Sequence, residues 1–157
     1  AFLRSYFNQL GVMFNREDLT IYENPGASVW NKTFETGNFL QQSRRMFVEE
    51  RGDVLWLAPF LPSAWLEDGK RVAVDRAPTA FGPAAYEIVS HAAEGFVEAR
   101  ITAPEQAETV VIRLRHPEGK ALVRAEATGA RAFASSEGSS VHLTPEAQEI
   151  TVRAYYE

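Results

Sequence analysis

The chain has 157 residues, 45% of them hydrophobic and 24% charged, which is enough for one domain with a substantial core, or for a β domain plus a small helical appendage. A net charge of −5 argues against a nucleic-acid partner, and zero cysteines exclude disulfides and thiolate metal sites. No basic-then-apolar leader and no apolar run of membrane-spanning length is present, so a soluble protein is expected, cytoplasmic or periplasmic.

The pattern at the start is helical. Leu3, Phe7, Leu10 and Phe14 recur at i, i+4, i+7 and i+11, with Phe2, Tyr6 and Met13 as an adjacent stripe. This predicts a first helix with a wide apolar face. The chain begins with Ala1 rather than Met, and Phe2 already lies inside the pattern, so a piece of a longer polypeptide is expected. A long irregular segment follows through Glu23-Asn24-Pro25-Gly26 to Trp30.

A second helix is predicted to start between Thr33 and Asn38, capped by Thr33 or Thr36, and to stop at Gly52. Together the two helices carry more apolar surface than they cover on each other. The β region, missing sequence or a second copy must cover the rest, and a homodimer through the exposed helix face is one expectation. The stretch Val54–Leu66 (VLWLAPFLPSAWL) is the joint of the chain. Pro59 and Pro62 prevent one long helix, so it reads as a strand over Val54–Leu57, a turn, and a short helical turn carrying Trp65.

From Arg71 onward the period becomes two. Val72 and Val74 alternate with Arg71, Ala73 and Asp75, then come Tyr86 and Ile88, Val97, Ala99 and Ile101, Val110, Ile112 and Leu114, and finally Ile150, Val152 and Ala154. Turn chemistry separates these runs at Glu94-Gly95, Pro117-Glu118-Gly119, Thr128-Gly129 and Glu137-Gly138. The fold expected is mainly β: an antiparallel β-sandwich of seven or eight strands preceded by two α-helices. Residues 1–52 form the helical segment and residues 53–157 the sandwich.

Chemistry-bearing residues are sparse. His91, His116 and His142 have no metal-ligand spacing, so no metal and no cofactor is expected. Ser135, Ser136, Ser139 and Ser140 lack a nucleophile elbow and read as a hairpin loop. Arg113, Arg115 and His116 are expected to form a wet strand face paired with acids such as Glu98 or Glu126. The densest polar-aromatic cluster runs from Trp30 to Asn38 into a helix start. Its aromatic, amide, ammonium and carboxylate groups suit a sugar, which makes Trp30, Asn31, Lys32 and Glu35 substrate-binding candidates. The same residues fit a reading in which Trp30 and Phe34 are core and Glu35 complements the helix dipole.

Three stretches, WNKTFETGNFLQQSRRMFV, LWLAPFLPSAWLEDGKRVAVDRAPTAFGPAAYEI and VIRLRHPEGK, resemble the carboxy-terminal end of bacterial α/α-toroid glycoside hydrolases of the α-L-rhamnosidase-like kind. The resemblance implies a helical remnant of a toroid followed by a structural sandwich, with the rest of that polypeptide as partner and carbohydrate as ligand. It places Phe39–Phe47 on the last inner helix and Trp30–Glu35 at the rim of the active site. It assigns no catalytic residue, because inverting hydrolysis needs two carboxylates flanking the bond and Glu35 stands alone in its motif. Two functions are therefore carried: a non-catalytic terminal segment of a carbohydrate-active enzyme, or a stand-alone carbohydrate-binding or protein-interaction sandwich.

Overall fold

The computed structural model describes residues 12–14, 21–23, 33–135 and 137–157, with side chains from residue 37 onward apart from those of 136 and 137. The chain divides into two units, Ala1–Arg45 and Met46–Glu157.

In the first unit, β1 (Val12–Phe14) pairs antiparallel with β2 (Ile21–Glu23), Met13 opposite Tyr22. This corrects the expected first helix at its end. Residues 1–11 lie outside the described residues, and Val12–Phe14 is a strand. A run such as Val-Met-Phe is apolar at consecutive positions, where periodicity alone does not separate helix from strand and β propensity decides. One α-helix, α1 (Thr33–Phe47), is found among the described residues, where two were expected. It starts at Thr33, at the beginning of the range expected, and Arg44 and Arg45 in its last turn oppose the negative end of its dipole.

The helix does not reach Gly52. It stops at Phe47, and β3 (Val48–Arg51) begins at once, forming a hairpin with β4 (Val54–Leu57). Gly52 is therefore the first residue of a two-residue hairpin turn at φ +59, a position that glycine enters without a Cβ penalty, rather than the residue that ends a helix. Phe47 and Trp65 stack with ring centroids 5.9 Å apart, and Trp65 sits on the expected short helical turn, Ser63–Leu66.

The second unit is mainly β, in two five-stranded sheets. After β4 the chain makes β5 (Arg71–Ala77), β6 (Ala84–His91), β7 (Phe96–Thr102), β8 (Thr109–Arg113), β9 (Leu122–Thr128), β10 (Ala130–Ser135), β11 (Ser140–Pro145) and β12 (Glu149–Tyr156). One sheet has the order β10-β11-β8-β4-β3 and is mixed, because β4 and β8 run parallel. The other, β5-β6-β7-β12-β9, is antiparallel throughout. A parallel pair needs a crossover, and β5, β6 and β7 supply it by building most of the other sheet between β4 and β8.

Alternation decides what is buried. Val48, Leu57, Ile112 and Val141 occupy consecutive partner positions across the mixed sheet, and Leu55, Val110 and Leu143 form the next such row. The antiparallel sheet contributes Ile88, Val97, Ala99, Ile101, Ile150, Val152 and Ala154. All these side chains belong to one hydrophobic cluster. Its buried hydroxyls are satisfied: Tyr86 Oη donates to the Phe47 carbonyl at 3.1 Å and Tyr156 Oη to Leu114 at 2.8 Å. Burial pushes both phenols well above their ordinary value. No helix among the described residues is long and apolar enough to cross a membrane.

Gly129 is the single residue between β9 in one sheet and β10 in the other. It takes φ +83, its carbonyl accepts the N–H groups of Glu146 and Ala147, and an added Cβ would lie 2.4 Å from the Glu149 carbonyl oxygen. Gly119, at φ +75, has open space around the same position. Both Gly→Ala changes meet the left-handed penalty of about 1–3 kcal/mol, but only Gly129→Ala adds a clash with backbone. Urea unfolding should therefore show a larger loss for Gly129→Ala than for Gly119→Ala, and equal losses would contradict this account of the crossing.

Candidate functional site

Trp30, Asn31 and Lys32 lie outside the described residues. Glu35 falls in α1, and its side chain is likewise outside them. The candidate site among the described residues arises instead from the outward face of the mixed sheet.

The register that turns Leu55 and Leu57 inward turns Trp56 outward. Glu49, Trp56, Val111, His142 and Phe133 are consecutive partners on β3, β4, β8, β11 and β10, so they form one row across the whole sheet. His142 meets the Trp56 ring edge-on at 6.4 Å and the Phe133 ring at 6.3 Å. Val111, between Trp56 and His142 in the row, is buried although it lies outside the core cluster. Phe133 is 69% exposed, and Phe60, just beyond β4, is 46% exposed. The Arg51 guanidinium lies 4.2 Å above the Trp56 ring while pairing with Glu49 at 2.6 Å. A stacked cation of this kind contributes about 0.5–1 kcal/mol at an exposed site, and it holds the indole plane in place.

Two cavities open on this face. One, of about 230 Å³, is lined by Arg51, Trp56, Pro59, Phe60, Arg113 and Ser140. The other, of about 240 Å³, includes Arg131, Phe133, His142 and Thr144. Arg113 is fixed by backbone: Nε donates to the Gly138 carbonyl at 2.7 Å and Nη1 to the Pro59 carbonyl at 3.0 Å. Each carbonyl belongs to a turn with a left-handed non-glycine residue beside it, Ala58 at φ +54 and Ser139 at φ +51. Such conformations cost on the order of 1–3 kcal/mol each and concentrate where a site requires them. The third such residue, Arg76, sits at a register shift on the edge strand β5.

The arginines are not paired as the sequence suggested. Glu98 accepts from Arg153 at 2.8 Å, and Glu126 accepts from Arg124 at 2.6 Å and from the Tyr155 hydroxyl at 3.0 Å. Those pairs, with Arg71–Glu87, lace the outer face of the antiparallel sheet. The Arg71 guanidinium beside Glu87 holds that carboxyl below its usual range. Arg113 has no carboxylate partner among the described residues. Arg115 is drawn below its ordinary value by its own burial and then by the neighbouring positive charge of Arg113.

The histidines take three different roles. His91 ends β6 and stacks on Phe96 at 4.6 Å. His116 is buried, its Nδ1 accepting from the Glu118 N–H at 3.2 Å and its Nε2 lying 3.4 Å from the Ala92 carbonyl. His142 is inside β11 and belongs to the aromatic row. No group of three or more His, Asp or Glu side chains among the described residues is placed to hold a metal ion. Trp56 and His142 escaped the sequence reading although the signal was present, because residues flanked by inward-facing neighbours in a strand must face outward.

No family model, curated protein or solved structure matches the chain.

A face kept for binding rather than folding tolerates truncation. Phe133→Ala should change the unfolding free energy by less than about 0.5 kcal/mol, as exposed substitutions do. A loss above about 2 kcal/mol would show that the row is structural.

Proposed function

We propose that the chain is a non-catalytic accessory segment of a carbohydrate-active enzyme of the α-L-rhamnosidase-like toroid kind. In this reading its two sheets pack face to face as a β-sandwich, and its outward aromatic face contacts sugar. The observation that carries the reading is the Trp56–His142–Phe133 row with Arg51 stacked on the indole. Sugars offer apolar C–H faces rimmed by hydroxyls, and aromatic bodies beside polar tips match them. The family in this reading comes from the resemblance of the quoted motifs, and α1 is read as what remains of a toroid helix.

Titration with neutral oligosaccharides, followed by tryptophan fluorescence and calorimetry, tests the reading. Saturable binding is expected, weakened at least tenfold by Trp56→Ala combined with Phe133→Ala, with no turnover of aryl glycosides, rhamnosides included. Binding unaffected by the double change, or turnover by the chain, would overturn it.

A further inference from the structure

The sugar-contacting face has a charge character that aromatic stacking does not explain. In a chain of net charge −5, the cavity beside Trp56 is walled by a guanidinium without a carboxylate partner among the described residues. Two of the five Arg113 N–H groups are spent on the carbonyls of Pro59 and Gly138, so the fork is held in one orientation and three donors remain. Arginine presents such a fork to planar two-oxygen anions with a geometry lysine does not reproduce. The other cation of the cavity, Arg51, is committed to Glu49 and to the Trp56 ring, so its charge is already matched. The local excess comes from Arg113, which no carboxylate among the described residues meets. The two turns that aim carbonyls at Arg113 are those of Ala58 and Ser139, so left-handed backbone gathers around this one side chain.

Size narrows the ligand. A cavity of about 230 Å³ is below the roughly 300–1,000 Å³ typical of drug-sized ligands. It suits one ring, with Trp56 and Phe60, over both of which the Arg51 guanidinium lies, at its apolar side and Arg113 at a charged end.

We infer that this cavity is a subsite for a carboxylate carried on a sugar ring, that is, a uronate residue of an acidic saccharide. The ring lies against Trp56, and the carboxylate meets the free edge of the Arg113 guanidinium. The inference rests on the saccharide reading above and adds the charge that selects among saccharides.

The test is calorimetric titration of the full chain with three probes. They are a hexuronate oligosaccharide, the same oligosaccharide with its carboxyl groups reduced to hydroxymethyl groups, and inorganic phosphate. The uronate should bind at least tenfold more tightly than either of the others, and less tightly as salt is raised. Arg113→Met should abolish that preference, whereas Arg100→Gln, the same charge change on the other sheet, should keep it. If Arg113→Met loses its native circular dichroism, the wild-type NMR spectrum decides. Uronate should shift the Trp56 indole and Arg113 Nε resonances, and absence of those shifts overturns the subsite. Equal binding of the reduced sugar overturns the uronate assignment while leaving the saccharide reading intact. Phosphate binding as tight as the uronate, or an equal loss in Arg100→Gln, overturns the assignment by reducing it to unspecific charge. Failure of both oligosaccharides to bind overturns the subsite and the saccharide reading together.

Discussion

The structure depends on the register of β4, β8 and β11. Because side chains alternate, one pairing places Leu55, Leu57, Val110, Ile112, Val141 and Leu143 in the core, and the same pairing sets Trp56, Val111 and His142 in line on the other side. A slip of one residue would turn that strand's core residues to solvent, Leu55 and Leu57 in β4, Val110 and Ile112 in β8, or Val141 and Leu143 in β11, and would bury Trp56, Val111 or His142 in their place. Core and outer face are thus specified together, and the aromatic row costs no separate folding device.

The order of strands makes this pairing interdependent across the unit. The chain visits the mixed sheet in β3 and β4, leaves for β5 to β7, returns in β8, leaves in β9, returns in β10 and β11, and ends in β12. The mixed sheet is complete only at β11, after four strands of the other have been made, and the other only at β12, and the single core cluster draws on both. Gly129 and the turn at Ala58, where the chain leaves β4 for the other sheet, take left-handed backbone at crossings, and Ser139 takes it in the β10–β11 turn. The turns at Ala58 and Ser139 also hold Arg113, so one exit from the mixed sheet and one hairpin of it meet at the cavity through one guanidinium.

Much of this was legible in the sequence. Val54–Leu57, the turn with Trp65, and the inward positions on β6, β7, β8 and β12 follow from period two and proline placement. What was missed has physical reasons. Val48–Arg51 follows a helix without a glycine or proline between them, so a helical reading runs on into the strand. β9 and β10 are rich in alanine, with weak strand propensity, and pairing with stronger neighbours makes them strands. The outward face was hidden because Trp56, in an apolar run, reads as core until its neighbours are assigned to opposite sides. That Arg113 is held by carbonyls depends on Pro59 and Gly138, 54 and 25 residues away, which no local pattern reports.

The most direct measurement is urea unfolding of Leu57→Ala and Trp56→Ala side by side. The register predicts that Leu57→Ala, at a position fully buried in the core, loses about 2–5 kcal/mol, and that Trp56→Ala, on the outer face, loses distinctly less while keeping a cooperative transition. A larger loss at Trp56 than at Leu57 would mean that the indole is core and that the aromatic face does not exist.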